Sequence, residues 1–207
     1  MESKIGIDSP HLTVPPWVSR VFPTPLSCAK EPPMTVTAED LARRVQALED
    51  KNEIKELKSR YLRGCDRQLP ELVRDCLDPD GCTIDFEGFP PFKDRDSFVN
   101  VYQEMGCRPG VIDMHHGQNP DIELTGPNTA KAKWDLYFYN IDLGARTMMQ
   151  MSCEYDDEYV KKNGRWWIKK TASKRYSFFL QQVDEDGQPT IAALGDPDKS
   201  PISKKAD

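Results

Sequence analysis

The sequence predicts an α+β fold: N-terminal helices packed on one face of a strongly curved, mostly antiparallel sheet, a cone whose pocket lies between helices and concave face. Three observations carry this. Apolar residues recur at helical spacing up to about residue 110 and at two-residue spacing after it. Asn163-Gly164 sits between two alternating stretches and signals a tight hairpin. Helices first, then a strand meander, satisfy both apolar patterns when the helices cover one face of the sheet.

The arm comes first. Residues 1–36 hold Pro10, Pro15, Pro16, Pro23, Pro25, Pro32 and Pro33 and read as irregular, anchored by Trp17 and Phe22. Thr37 caps the first helix, and Glu39 and Asp40 favour its start. Its stripe is Leu41, Val45, Leu48, Ile54, Leu57 and Tyr61, with a bend or break expected in the polar stretch from Glu49 to Glu53. Pro70 opens a second helix that stops at Asp78-Pro79-Asp80-Gly81. Cys82, Ile84 and Phe86 alternate as a short strand, and Asp94 caps a third helix carrying Phe98, Val99 and Tyr102. Four strands come next, over 111–124, 130–140, 146–160 and 165–178. The domain thus runs over 37–183, and 184–207 reads as a polar tail.

Composition narrows the function. With 34 acidic against 28 basic side chains and a net charge of -6, the chain gathers no broad basic stripe, so no nucleic-acid partner is expected. No apolar stretch approaches the ~20 residues of a membrane span. Six cysteines show no CxxC spacing and no secretory leader precedes them, so the expected compartment is cytoplasmic, without a disulfide framework. Adjacent histidines diverge on a strand and no HExxH occurs, so no metal is expected; without a phosphate loop or serine elbow, no cofactor is expected either.

Two polar islands stand in apolar surroundings. Tyr61 and Asp66 lie at the end of the first helix; His115-His116-Gly117-Gln118-Asn119 lies inside the first long strand and holds two of the three histidines. Alternation puts His115, Gly117 and Asn119 on one face, and Gly117 there leaves space for a ligand. A carboxylate and an imidazole that meet in one pocket can move a proton at neutral pH, with Asp66 fixing the tautomer of His115. Trp134 and Phe138 on one strand, and Met149 and Met151 on the next, suit the wall of an apolar cavity or plain core.

Together with Asp85-Phe86-Glu87-Gly88 and Tyr155-Asp156-Asp157-Glu158-Tyr159 leading to Asn163-Gly164-Arg165-Trp166, these islands resemble the SnoaL-like group of the nuclear-transport-factor-2 (NTF2-like) fold, from about Leu41 to Phe179. The motifs resemble most its lyase branch, which includes bile-acid 7-alpha-dehydratase, hexachlorocyclohexane dehydrochlorinase and scytalone dehydratase. That resemblance implies a histidine base held by an aspartate and helped by a tyrosine, roles that fall on His115, Asp66 and Tyr61, with His116 as the fallback base. It implies a dehydratase removing water, or secondarily HX, from a hydrophobic cyclic or steroid-like substrate, in a homotrimer, with a dimer as the alternative. Substrate contacts then fall on Trp134, Phe138, Met149, Met151, Asn119 and His116. An assisting basic residue is sought among Arg146, Lys161 and Lys174. The same superfamily holds ketosteroid isomerases, polyketide cyclases and non-catalytic binders, and fold alone does not choose among them.

Overall fold

The computed structural model describes residues 36–195; the proline-rich arm with Trp17 and Phe22, and the chain after 195, lie outside the described residues. Three helices, α1 (Ala38–Asp66), α2 (Pro70–Arg74) and α3 (Arg95–Met105), precede or interleave with a short strand β1 (Thr83–Phe86). Strands β2 (Val111–Gly126), β3 (Thr129–Asp142), β4 (Thr147–Lys162) and β5 (Arg165–Val183) form an antiparallel meander. Asp94 caps α3 by accepting from the Ser97 amide. Asn163 and Gly164 both take positive φ, which is what the two-residue turn between β4 and β5 demands.

The expected cone is corrected. The sheet is open and mixed, in the order β1-β5-β4-β3-β2, and β1 lies parallel to β5. Its outer strands β1 and β2 do not pair with each other, so it does not close into a strongly curved cone. Alternation says which residues face the core; it carries no information on closure or on the direction of a short strand whose partner lies over 80 residues away. The segment after Val183 also differs from a tail: Pro189–Leu194 forms β6 and pairs with the end of β5.

Helix α1 runs unbroken through its polar stretch. The reason is Asp50, which is buried against the β4–β5 hairpin, where Lys161 Nζ (2.7 Å) and Trp166 Nε1 (3.0 Å) donate to its Oδ1. The apolar stripe divides in two: Ile54, Leu57 and Tyr61 are buried, whereas Leu41, Val45 and Leu48 are exposed. The inner half packs with Val73, Ile84, Val99, Trp134 and Ile168 in one core. Among the described residues, no helix is long and apolar enough to cross a membrane.

A cation lies inside this core. Lys58, 1% exposed, approaches Asp157 Oδ2 on β4 at 2.8 Å. Tyr159 Oη donates to the same oxygen, and Trp134 Nε1 donates to Tyr159. The Lys58 contact is an ion pair by distance but not a well-directed hydrogen bond. The ammonium also lies 3.5 Å from the centroid of the Tyr155 ring, a cation–π contact. Burial pulls the Lys58 ammonium below its ordinary value, and Asp157 resists that pull. Removing one member of such a pair leaves a buried charge uncompensated. Lys58→Met is expected to lower stability by about 3–5 kcal/mol, read from urea unfolding; a loss under about 1 kcal/mol would show that the pair is dispensable.

Asp78, at the end of the segment that follows α2, gives a pH-dependent counterpart. Burial alone would raise its carboxyl, but hydrogen bonds from Lys162, the Asp80 amide and Lys169 bring it below its ordinary 3.8. A carboxyl depressed in the folded state contributes stability above its unfolded value, and that contribution is lost as pH falls through the folded one. Asp78→Asn is therefore expected to lower stability at neutral pH and to flatten its decline below about pH 3.8, measured by thermal unfolding across pH.

Candidate active site

The sheet presents successive rungs of residues in register. One joins Asp113, Asn140 and Met149; the next joins His115, Phe138 and Met151; a third joins Leu136, Cys153 and Arg175. All of these residues line a cavity of about 350 Å³. Tyr61 and Cys65 of α1, Tyr102 and Met105 of α3, and Phe86, Phe89 and Phe92 around β1 complete it. Its lining is mostly apolar, and its size suits a small organic molecule.

The C-terminal end of α1 brings Asp66 against β2. Asp66 Oδ1 accepts from the backbone amide of His115 at 2.9 Å and lies 2.7 Å from Nδ1 of the same residue. A carboxylate can only accept, so Nδ1 donates this hydrogen bond; in the neutral ring the lone pair then lies on Nε2. The ring packs on Phe138, with centroids 4.5 Å apart. Tyr61 lies at the cavity wall, 2% exposed. Burial pushes its phenol well above the ordinary range, so it stays a neutral hydrogen-bond donor. Tyr102 Oη donates to the carbonyl of Cys65 (2.9 Å) and closes the end of α1 over the cavity.

The structure thus gathers Tyr61, His115, Phe138, Met149 and Met151 around one space, with Asp66 behind the imidazole. Three other sequence candidates lie elsewhere. Trp134 is in the core beneath, bonded to Tyr159. His116 is exposed and stacks on Tyr137. Asn119 is exposed and bonds Asp135, because a bulge between Gln118 and Asp121, with a φ of 47° at Asn119 itself, breaks the alternation. Gly117 does not make room for a ligand: a Cβ there would come within 2.7 Å of Leu62 Cδ1, so the glycine admits helix α1.

None of the three basic candidates reaches the cavity. Lys161 is bound to Asp50, Lys174 is exposed beside Tyr176, and Arg146 sits at positive φ in the β3–β4 connection. The cavity's buried cation is instead Arg175, 6% exposed. Its amide donates to Glu87 Oε2 at 2.7 Å, while its Nε stands 4.0 Å from that oxygen without a hydrogen-bond partner. Counting alternate residues from Trp166 puts Lys174 inward. A bulge that leaves Lys169 unpaired, between the rungs Glu158–Lys170 and Tyr159–Ile168, shifts the parity and turns Arg175 inward. Among the described residues, no group of three or more His, Cys, Asp or Glu side chains is placed to hold a metal ion.

Comparison with known proteins agrees with this architecture. A hexachlorocyclohexane dehydrochlorinase of type 3 from Novosphingobium barchaimii is 16% identical with a TM-score of 0.60, over 74% of this chain and 99% of that one. A candidate scytalone dehydratase from Novosphingobium aromaticivorans is 16% identical with a TM-score of 0.59, over 73% of this chain and 94% of that one. An NTF2-like protein with a cystatin-like fold from the same organism is 18% identical with a TM-score of 0.56, over 67% of this chain and 90% of that one. At these identities the likeness shows the fold. Residues 46–172, more than half of the 207, match the family model described as the SnoaL-like domain, and the chain belongs to that family.

Proposed function

We propose that this chain is a cofactor-independent lyase that removes water, or secondarily HX, from a hydrophobic cyclic or steroid-like substrate. The observation that carries the reading is the double acceptance by Asp66 Oδ1 from the amide and Nδ1 of His115. It holds the ring still in one tautomer, with Nε2 as the basic nitrogen. In this reading His115 takes a proton from the carbon beside a carbonyl, and Asp66 stabilises the resulting imidazolium. Tyr61 donates to the carbonyl oxygen and then to the enolate. Arg175 supplies positive charge where the enolate forms, which an apolar cavity makes more effective. Phe138, Met149 and Met151 give the flat apolar contact that a cyclic substrate needs.

The test uses a tetralone bearing a hydroxyl β to its carbonyl, incubated in deuterated water. Elimination shows as a product lighter by one water; isomerisation conserves the composition. His115→Ala is expected to lower turnover at least about 100-fold, the usual span of general-base catalysis. Full turnover by that variant would remove the mechanism. A pure binding protein would hold the ketone and show neither elimination nor exchange.

We also propose a homotrimer. Ile112, Met114 and Tyr137 are exposed on the meander, as are Leu41, Val45 and Leu48 on α1, and apolar surface of this extent is commonly covered by another subunit. Light scattering is expected to give three times 23.7 kDa. A dimer would keep the covered-face argument and refute the count, and a stable monomer would refute both.

A further inference from the structure

The cavity holds a carboxyl that proton abstraction leaves unused. Asp113 stands two residues before His115 on β2, so both side chains leave the strand on the same face, and both line the cavity. Asn140, its partner on the same rung, donates Nδ2–H to Asp113 Oδ1 at 2.7 Å. Among the described residues no lysine or arginine forms an ion pair with it; Arg108, at the same end of the cavity, is paired with Asp142 at 2.9 Å. The titratable groups that act on it are Asp66 at the end of α1 and His115 on its own strand, and it acts in turn on Cys65 and on Tyr102 of α3. Burial raises its carboxyl above the ordinary value, and Asp66 adds to that, against the Asn140 hydrogen bond and His115. A carboxyl with no ion-pair partner in such surroundings is shifted toward the neutral acid, the direction a proton donor requires.

We propose that Asp113 is the general acid of the elimination, protonating the leaving hydroxyl while His115 takes the proton from the neighbouring carbon. This role rests on the lyase reading and deepens it. The electrons of the broken C–H bond pass through the enolate into the new C=C bond. The C–O bond breaks with its pair on oxygen, and the Asp113 proton completes a water molecule. The imidazolium proton of His115 then returns to the Asp113 carboxylate, directly or through the released water, and both groups are restored. Residues two apart on a strand are separated by roughly 6.6 Å at Cα, a spacing that lets one reach a C–H and the other the oxygen on the adjacent carbon. The assignment also names the substrate class. Hydroxide is a poor leaving group because water has a pKa of about 15.7, whereas chloride leaves unaided. A built acid beside the base therefore selects β-hydroxy carbonyl compounds over halides.

The test compares three reactions of one framework in wild type, Asp113→Asn and His115→Ala. They are loss of water from the β-hydroxy tetralone, loss of acetate from its β-acetoxy counterpart, and deuterium exchange beside the carbonyl of the unsubstituted tetralone. Asparagine keeps the acceptor for Asn140 and has no acid proton. Asp113→Asn is expected to lose water at least about 100-fold more slowly, with acetate loss and exchange within about threefold of wild type. Dehydration unaffected by Asp113→Asn, with exchange still dependent on His115, overturns the acid assignment alone. Equal loss of all three reactions in Asp113→Asn also overturns it, since the residue would then serve only the geometry of His115. Absence of any His115-dependent exchange overturns the lyase reading on which the assignment rests.

Discussion

Helix α1 is tied to one position on the sheet by a buried lysine. Lys58 Nζ has exchanged water for Asp157 Oδ2 and the face of Tyr155, and Asp157 is in turn held by Tyr159, whose hydroxyl accepts from Trp134. An apolar helix face can slide or roll at little cost, since hydrophobic contact is not directional. A buried charge cannot, because moving it out of reach of its counterion restores the full penalty of desolvation. The pair joins the middle of α1 to β4, and the Asp50 contacts to Lys161 and Trp166 join the same helix to the β4–β5 hairpin two turns earlier. Two polar fixings on one helix set both its translation and its rotation.

A helix fixed in this way also has a fixed end. Tyr61 lies three residues beyond Lys58, and its ring is 5.3 Å from the same ammonium. Asp66 ends the helix and reaches β2, where it accepts from His115 twice. Gly117 lets Leu62 come close enough for that reach. Tyr102 then ties the last carbonyls of α1 to α3. The Asp66–His115 pair is thus held by regular elements rather than by loops, which is what precise placement of the proposed base requires.

The sequence shows most of this by period and little of it by charge. The order of elements, the α3 cap and the β4–β5 turn follow from spacing and turn chemistry, and the Asp66–His115 pairing follows from isolating the polar residues of two apolar stretches. Lys58 and Asp157 are another matter. In a helix rich in Lys and Glu, and in the run Glu154 to Glu158, a charged residue reads as solvated, and only the tertiary packing shows which one is buried. Arg175 is hidden for a different reason. One unpaired residue in β5 reverses which side chains face inward, and no local pattern announces the bulge. The closed cone fails for a third reason: the pairing of β1 with β5 is non-local, and alternation is silent about it.

Two carboxyls flank His115, and their surroundings give them different capacities. Asp66 accepts an amide N–H and a ring N–H on a single oxygen, which makes it a holder of the imidazole. Asp113 receives one side-chain hydrogen bond and, among the described residues, no lysine or arginine ion pair, in a cavity rich in phenylalanine, methionine and tyrosine, which shifts it toward the acid. The difference arises from the strand itself. The amide of His115 points along the hydrogen-bonding edge of β2 toward the end of α1, whereas the side chain of Asp113 leaves through the face that carries the cavity. A single strand therefore supplies the imidazole of the proposed base, the hydrogen-bond donor that seats its partner, and a second carboxyl in a different medium. Separating two like groups by environment is how one site can hold both a proton acceptor and a proton donor at the same pH.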